Sequence, residues 1–331
     1  MTRLIPLLLL ALSGCSWTPT TPDLELTAPD NLYDTRLFDP TRQRPISFEQ
    51  LTRRLADSDV VVIGEYHGHH GAHLLQARLQ QALFRQQPNQ VLTMEQFTVA
   101  DQAALDRYLK NETGEAEMIE DANAWDNYRA SYRPLVEFAK QHQRPVVATN
   151  APQPLVRCIA RLGLDFFSQL PANRRDRLLE LPLIGSEAYR KRFEQAVGGS
   201  HHGRSNSDVL QNSYTAQLVR DNTMATQIAR ALDRHPGAQV LHTTGAFHSD
   251  FHQGTVAALK TLRPDLRVSV ISPEFWPLED DQRPLEASPP RGDILYFILQ
   301  LPTEYRDPER QRQAMIQQFG HPAPACEESA G

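Results

Sequence analysis

Several features that define large protein classes are missing from this chain. No apolar run approaches the ~20 residues that a membrane-spanning helix requires. Neither a Gly-x-x-x-x-Gly-Lys-Ser/Thr loop nor a Gly-x-Ser-x-Gly elbow occurs, which argues against a P-loop NTPase and an α/β-hydrolase. Basic residues are not in excess either, because 34 Lys and Arg stand against 40 Asp and Glu, for a formal net charge of −6. A nucleic-acid partner is therefore not expected.

The composition itself suits a packed globular protein. The 331 residues are 40% hydrophobic and 8% aromatic, which is not the composition of a disordered chain. At roughly 100–200 residues per domain, this length predicts one large domain or two modest ones.

The first residues have the pattern of a targeting segment. Arg3 supplies a positive charge, and the short apolar stretch 4–12 that follows it fits a signal peptide and is too short to span a membrane. Leu12-Ser13-Gly14-Cys15 resembles the lipobox of bacterial lipoproteins, which implies that residues 1–14 are a signal peptide and that Cys15 is lipidated. An ordinary secretory signal and a chance apolar start are the alternatives.

A tether and a location follow from the lipoprotein interpretation. Residues 15–40 begin with a Thr- and Pro-rich stretch that cannot bury much surface and is expected to be a tether. Acyl chains gain ~0.8 kcal/mol per buried CH₂, so a lipid anchor holds a protein on a membrane without a spanning helix. Because Ser16 and not Asp follows Cys15, resemblance to lipoprotein sorting signals implies the outer membrane.

Two cysteines remain if Cys15 is lipidated, namely Cys158 and Cys326. An oxidising periplasm permits a disulfide between them, which would attach the C-terminal tail (306–331) to the core. The alternative is a buried free Cys158 and an unreactive Cys326 in the tail.

Short β-branched runs alternate with apolar residues at helical spacing, which predicts an α/β fold with a largely parallel sheet flanked by helices. This domain is expected to span residues 41–305. Residues 155–235 have a helical pattern and indicate a helical insertion or lid over the sheet. Six strands are predicted, over residues 59–65, 91–95, 145–150, 240–244, 268–271 and 294–299.

Polar residues occur where the predicted strands end. Glu65 and His67 follow the first strand, Glu95 ends the second, Asn150 ends the third and His248 follows the fourth. Open parallel sheets bind ligands at the carboxyl ends of their strands. This edge is therefore predicted to carry the functional site.

Histidines are dense after the first strand, with four between His67 and His73. Neutral imidazoles bind transition metals well. Glu65, His67 and His248 could therefore hold a divalent transition metal that activates water, or act as acid and base on a bound ester. A solvated histidine-rich loop is the alternative, and so is a purely structural hydrogen bond between Glu65 and His248.

Two tyrosines, Tyr128 and Tyr132, are four residues apart and could share a helix face. Pro134 suits the first turn of a helix, which places Tyr132 just before that helix and accessible to a ligand. Tyrosine is one of the axial ligands of haem iron. Packing of both rings in the core is the alternative.

An ordered set of motifs resembles the ChaN-like haem-binding lipoprotein family, part of the wider Tiki/TraB/erythromycin-esterase-like group. The set runs from about residue 50 to 275, and the chain departs from it at Gly68, where many relatives carry Asp. The matching motifs are Gly64-Glu65-Tyr66-His67, His73 to Gln76, Tyr132-Arg133-Pro134, Val147 to Pro152, Ser200 to Gly203, Arg220 to Ala225 and Gly245 to His248.

The resemblance implies an α/β fold and a homodimer that encloses two haems face to face, with each iron bound by one tyrosine. Tyr132 matches the family's Tyr-Arg-Pro and is assigned as the iron ligand, with Tyr128 in reserve. His201 or His202 is the candidate partner of the haem propionates. The remaining candidates for the cofactor site are Glu65, His67 and His248.

Two functions from different classes follow. The first is a lipid-anchored haem-binding protein that serves haem and iron acquisition, with an outer-membrane haem receptor as a candidate partner. Its haem slot could be lined by Phe247, Phe251 and Trp125. The second is a metal-dependent hydrolase, of the esterase or peptidase type, built on Glu65, His67 and His248.

Overall fold

The structure is a computed structural model that describes residues 24–179, 181–198, 207–276, 290–319 and 326. Within these ranges the strands form one eight-stranded sheet in an α/β fold. The strands are β1 (Arg36–Asp39), β2 (Arg44–Pro45), β3 (Val60–Glu65), β4 (Gln90–Thr98), β5 (Val146–Asn150), β6 (Gln239–Gly245), β7 (Val268–Phe275) and β8 (Ile294–Ile298).

Helices occupy most of the chain between the strands, and two 3₁₀ turns follow β6, at Ala246–His248 and Asp250–His252. The helices are α1 (Phe48–Leu55), α2 (His70–Gln86), α3 (Gln102–Leu109), α4 (Glu115–Asp121), α5 (Tyr128–Ser131), α6 (Arg133–Gln141), α7 (Gln153–Leu162), α8 (Leu164–Gln169), α9 (Ala172–Leu178), α10 (Glu187–Gly198), α11 (Ser207–Arg234), α12 (Thr255–Leu262) and α13 (Pro308–Phe319).

The six predicted strands are present, and they form the parallel part of the sheet. The strand order is β2-β1-β8-β7-β3-β6-β4-β5, and every pairing from β8 to β5 is parallel. Strand β3 lies at the centre with its side chains buried on both faces, as its continuous β-branched run predicts. The carboxyl ends of β3, β4, β5 and β6 therefore lie at one edge of the sheet.

Alternate residues of β3 contribute to two separate cores. Val61 and Ile63 pack with helices α1, α2 and α6 on one face. Val60 and Val62 pack with α11 and α12 on the other. Fully burying a side chain of this size stabilises a fold by about 1.5–3 kcal/mol relative to leaving it exposed, so β3 is held firmly between the two helical layers.

Strands β1 and β2 were not predicted from the sequence. Strand β1 runs antiparallel to both β2 and β8, with Leu37 opposite Tyr296. These strands have four and two residues, too few for a recognisable alternation, and they form because β8 presents a free edge to them.

The predicted helical region 155–235 contains five helices in its described part, α7 to α11, with a non-helical segment at 181–186. Its last helix does more than cover the sheet from outside. Ala225, Ile228 and Ala231 of α11 belong to the core beneath β3 and β6. Helix α11 therefore belongs to the helical layer that covers one face of the sheet.

The two ends of the chain are described only in part. The predicted signal peptide and Cys15 lie outside the described residues, as does most of the tail after Phe319. Across the described ranges, no helix is long and apolar enough to cross a membrane. Cys326 is described, and it forms a disulfide with Cys158 of α7 across 168 positions in sequence.

We predict that this disulfide stabilises the fold mainly by restricting the unfolded chain. Replacing both Cys158 and Cys326 by Ala should lower the free energy of unfolding by about 2–4 kcal/mol, measured by urea denaturation. A reductant should destabilise the unmodified protein by a similar amount and leave the double variant unchanged. An unmodified protein that is insensitive to reductant would contradict the disulfide.

Candidate functional site

The carboxyl ends of three central strands bring two buried carboxylates and two histidines into one cluster. We call Glu65, His67, Glu95, Asp221 and His248 the carboxyl-end site. Glu65 ends β3, Glu95 lies near the end of β4, and His248 follows β6 on the 3₁₀ turn. Asp221 comes from the middle of α11, which crosses this edge of the sheet. Four of the five polar residues that the sequence places at the strand ends belong to this cluster. The fifth, Asn150, instead accepts a hydrogen bond from Arg220 at 3.3 Å.

Glu65 is a buried carboxylate that accepts hydrogen bonds from four side chains. His67 Nδ1 lies 2.8 Å from Oε1, and the hydroxyl of Tyr132 donates to the same oxygen at 2.6 Å. The amides of Gln76 and Gln96 donate at 2.5 and 3.3 Å. Burial alone would raise the pKa of Glu65, but the hydrogen bonds from His67 and Tyr132 and the nearby histidine charges outweigh it and lower the pKa.

His67 is the exposed member of the site, with 45% of its side chain accessible. Its ring meets Trp125 edge to face at 4.9 Å, and it lies against Gly245, where a Cβ would come within 3.0 Å of His67 Cε1. The hydrogen bond to Glu65 uses Nδ1 and leaves Nε2 without a hydrogen-bond partner among the described residues. Burial alone would lower the pKa of His67, but the bond to Glu65 and the charge of Glu95 raise it.

Glu95 is the second buried carboxylate. Its Oε2 accepts from the Thr244 hydroxyl and the Gly245 backbone N–H, both at 2.6 Å, and its Oε1 lies 3.4 Å from His248 Nε2. Burial opposes ionisation, but the charges of His248 and His67 together with these hydrogen bonds lower the pKa of Glu95 to about 2. Glu95 is therefore ionised across the physiological pH range.

His248 lies between two carboxylates. Its Nδ1 is 2.7 Å from Asp221, on the opposite side of the ring from Glu95. Asp221 also accepts from the hydroxyls of Tyr189 and Thr255, at 2.6 and 2.9 Å. Burial alone would lower the pKa of His248, but Glu95 and Asp221 outweigh it and raise the pKa. This is a carboxylate–histidine pair in which a buried acid orients the imidazole.

The structure corrects the expectation that Tyr132 is accessible. Tyr132 does precede α6, and Pro134 lies in the first turn of that helix, as predicted. However, the ring packs against His73 and Trp125, at centroid distances of 4.9 and 5.8 Å, and its side chain is fully buried. Burial and the neighbouring charge of Glu65 raise the pKa of Tyr132 far above its usual value.

Tyr128 is also a core residue. This agrees with the alternative in which both tyrosine rings pack in the core. It is 2% exposed and meets Phe97 edge to face. Tyr132 lies between the end of α5 and the start of α6, whereas Tyr128 is the first residue of α5. Its hydroxyl finds no hydrogen-bond partner in the described part of the chain.

The other histidines of the first cluster have structural contacts. His69 caps α2, because its Nδ1 accepts from the Gly71 N–H and its Nε2 bonds the carbonyl of Leu299. His73 is buried beside Gln76 and Glu65. Across the described ranges, no group of three or more His, Cys, Asp or Glu residues is arranged to hold a metal ion. His201 and His202 lie outside the described residues.

Two residues of the site received no role in the sequence-based prediction. Glu95 is a candidate from the sequence only through its place among the polar residues at the strand ends, and Asp221 appears there only as part of a matching motif. Their signals were the position of Glu95 at the carboxyl end of a buried strand and the charge of Asp221 within a helix that is otherwise buried there. Neither signal indicates which histidine each acid contacts.

Comparisons with known proteins indicate a family. Residues 51–259 match the model of a family described as "Haem-binding uptake, Tiki superfamily, ChaN". Among solved structures, ChaN of Campylobacter jejuni, determined with cofacial haem, has a TM-score of 0.62 at 18% identity and covers 80% of this chain and 97% of its own. A mutant of the erythromycin esterase EreC in its open conformation has a TM-score of 0.43 at 16% identity and covers 82% and 83%. No curated protein sequence matches the chain.

The lowered pKa of Glu95 predicts a specific pH dependence of stability. A carboxylate whose pKa is lowered on folding contributes stability above its usual pKa near 4.5 and loses that contribution as the pH falls toward 2. Glu95→Gln should therefore lower the free energy of unfolding by roughly 3 kcal/mol near pH 6 and by much less near pH 2.5. Urea denaturation across this range checks it.

The raised pKa of His248 sets the alkaline limit of the pH range in which Glu95 stabilises the fold. Stabilisation by a protonated histidine is complete below its usual pKa near 6.5 and is lost as the pH rises through the raised value. The difference in the free energy of unfolding between Glu95→Gln and the unmodified protein should therefore become smaller at alkaline pH. Glu304→Gln, at an exposed carboxylate, is the control, and an equal loss in both variants would refute the assignment.

Proposed function

The chain belongs to the haem-binding ChaN family of the Tiki superfamily, and we propose that it binds haem at the carboxyl-end site as a lipid-anchored protein of haem and iron acquisition. The family match includes all five residues of this site. The main support for placing haem at this site is the exposed imidazole of His67. It lies at the edge of the sheet where open parallel sheets bind ligands.

His67 meets the requirements of an iron ligand. Imidazole is a common axial ligand of haem iron, and ligating histidines typically donate their other ring N–H to a carboxylate. His67 donates Nδ1–H to Glu65 and leaves Nε2 available. Trp125, half-buried beside the ring, supplies an aromatic surface for a macrocycle. We therefore propose His67 as the iron ligand in this conformation of the protomer.

Tyr132 is the ligand that the family resemblance implies, and it would bind iron only after a rearrangement. Its hydroxyl would have to leave Glu65 and give up a proton whose pKa is strongly raised. The ring would also have to become exposed. Because each change costs free energy, the geometry favours His67, and a direct comparison of the two variants separates the two ligands.

We also propose that a second copy of the chain completes the haem pocket. The solved ChaN of Campylobacter jejuni binds haem cofacially, and the exposed His67 ring is accessible to a group that a second copy would also contact. His201 and His202 remain our candidates for the propionates. Lipidation of Cys15 and an outer-membrane location belong to the same proposal and rest on the sequence pattern alone.

A haem titration of ligand variants tests this assignment. The unmodified protein should saturate at one haem per chain with a Soret band, and sedimentation should show a shift to dimer. His67→Ala should weaken haem binding by well over 100-fold, because losing a residue that only orients a ligand typically costs about 10- to 100-fold. Tyr132→Phe should retain binding and the same spectrum.

His70→Ala is the matched control, because His70 is exposed in the same segment and stacks on Tyr33 away from Glu65. It should leave the titration unchanged. If Tyr132→Phe abolished the haem spectrum and His67→Ala did not, Tyr132 and not His67 would be the iron ligand. The proposal that the protein binds haem would be unaffected. An unmodified protein that takes up no haem would refute the proposed function itself.

A second candidate function, hydrolysis, is favoured by one specific observation. Asp221 orients His248, and Glu95 faces the other ring nitrogen, an arrangement in which the imidazole can exchange protons with a bound ester and water. Because the described residues supply no three-ligand metal group, this hydrolase would use His248 as the general base in place of the metal proposed from the sequence.

Ester hydrolysis by the purified protein tests the second candidate. Turnover of a small aryl ester should fall by about 10²- to 10⁴-fold in His248→Ala, the usual contribution of a general base, and should be unaffected in His70→Ala. Equal rates in the unmodified protein and His248→Ala would exclude this role.

A further inference from the structure

A cavity of about 590 Å³ lies beside β5, the strand at one edge of the sheet, and is separate from the carboxyl-end site. Its walls come from β5, the segment after β4, α7, α9 and α11. None of the five residues of the carboxyl-end site lines it. Its volume is within the range of cavities that bind small molecules.

The inner surface of this cavity is mainly aliphatic. Val147, Leu155, Leu170 and Leu178 line it, and each belongs to one of the two cores beneath. The lining residues include no His, Tyr, Cys or Met. The cavity therefore suits an apolar chain and offers no side chain that typically binds haem iron.

The mouth of the cavity is basic. Arg174, Arg177, Arg230 and Arg234 line it, and no Asp or Glu is among the described lining residues. Arg230 is engaged by the backbone carbonyls of Asp176 and Arg177. Arg177 and Arg234 are exposed and form no ion pair within the described part of the chain. Two guanidinium groups are thus available to an incoming anion.

The adjoining edge strand is already capped, which argues against a further strand as the occupant. The Gln102 side chain donates to the Val146 carbonyl at 3.0 Å and accepts from the Ala148 N–H at 2.8 Å. These are the outward backbone groups to which an added strand would have to pair. A small molecule can enter the cavity without displacing this contact.

We propose that this cavity binds a long-chain carboxylate of the fatty-acid class. The acyl chain lies against the aliphatic walls, and the carboxylate pairs with Arg177 and Arg234. Guanidinium groups match the planar geometry of a carboxylate and form charge-assisted hydrogen bonds with it. The positive mouth and the apolar interior together select a ligand that has one anionic end. This site does not depend on the proposed haem function.

Calorimetric titration of the full-length protein with oleate, below its micelle concentration, tests the proposal. Oleate should bind at one site per chain, and oleyl alcohol, with the same chain and no charge, should bind at least 10-fold more weakly. The double variant Arg177→Gln/Arg234→Gln should weaken oleate binding at least 10-fold. Arg310→Gln, at an exposed arginine of α13, should have no effect.

A second variant tests the interior of the cavity. Val147→Phe places a larger side chain in the cavity wall and should reduce oleate binding at least 10-fold, and thermal unfolding should show that the variant is folded. Equal binding of oleate and oleyl alcohol, or oleate binding unchanged in the double arginine variant, would overturn the proposal. So would at least 10-fold tighter binding of a lysophosphatidate, because the head group recognised would then be a phosphate.

Haem titration of the same double arginine variant separates this site from the proposed function. Unchanged haem binding together with weakened oleate binding supports two independent sites. If the double variant lost haem and oleate in parallel, the cavity would be part of the haem site, and the proposal of a separate fatty-acid site would be wrong.

Discussion

The buried carboxylate of Glu65 is the group on which the geometry of the site depends. It lies at the end of the central strand, where burial would normally favour its neutral form. Four donors, from His67, Tyr132, Gln76 and Gln96, keep it ionised. In doing so they take fixed positions themselves, because removing a donor from a buried carboxylate costs more than an ordinary hydrogen bond contributes. Glu65 thus holds one tyrosine inside the protein and one imidazole at its surface.

A second buried carboxylate, Glu95, makes the environment of His248 differ from that of His67 in orientation and accessibility. Glu95 and Asp221 enclose His248 on two sides, so this imidazole is well oriented but only slightly accessible. His67 is accessible and oriented on one side only. The first arrangement suits proton transfer and the second suits ligand binding.

The edge cavity shows that the same sheet offers two kinds of surface. At the carboxyl ends of the strands, ionised and hydrogen-bonded groups are concentrated because several loops converge there. Beside β5 no further strand continues the sheet within the described residues, and aliphatic side chains from β5, α7 and α9 line the space. One surface therefore favours a polar or metal-containing group, whereas the other favours an apolar chain with a charged end.

The sequence by itself determined the six parallel strands, the edge at which Glu65, Glu95 and His248 gather, and the family, because strand periodicity and short ordered motifs are local properties of the chain. It also indicated Glu65, His67 and His248. It missed β1 and β2, whose pairing depends on an edge that only β8 provides. Tertiary structure decided the partners. Asp221 contacts His248 from a helix 27 positions away, and the buried Tyr132 hydroxyl donates to a carboxylate 67 positions away. Exposure and pKa depend on such distant neighbours, and no local pattern records them.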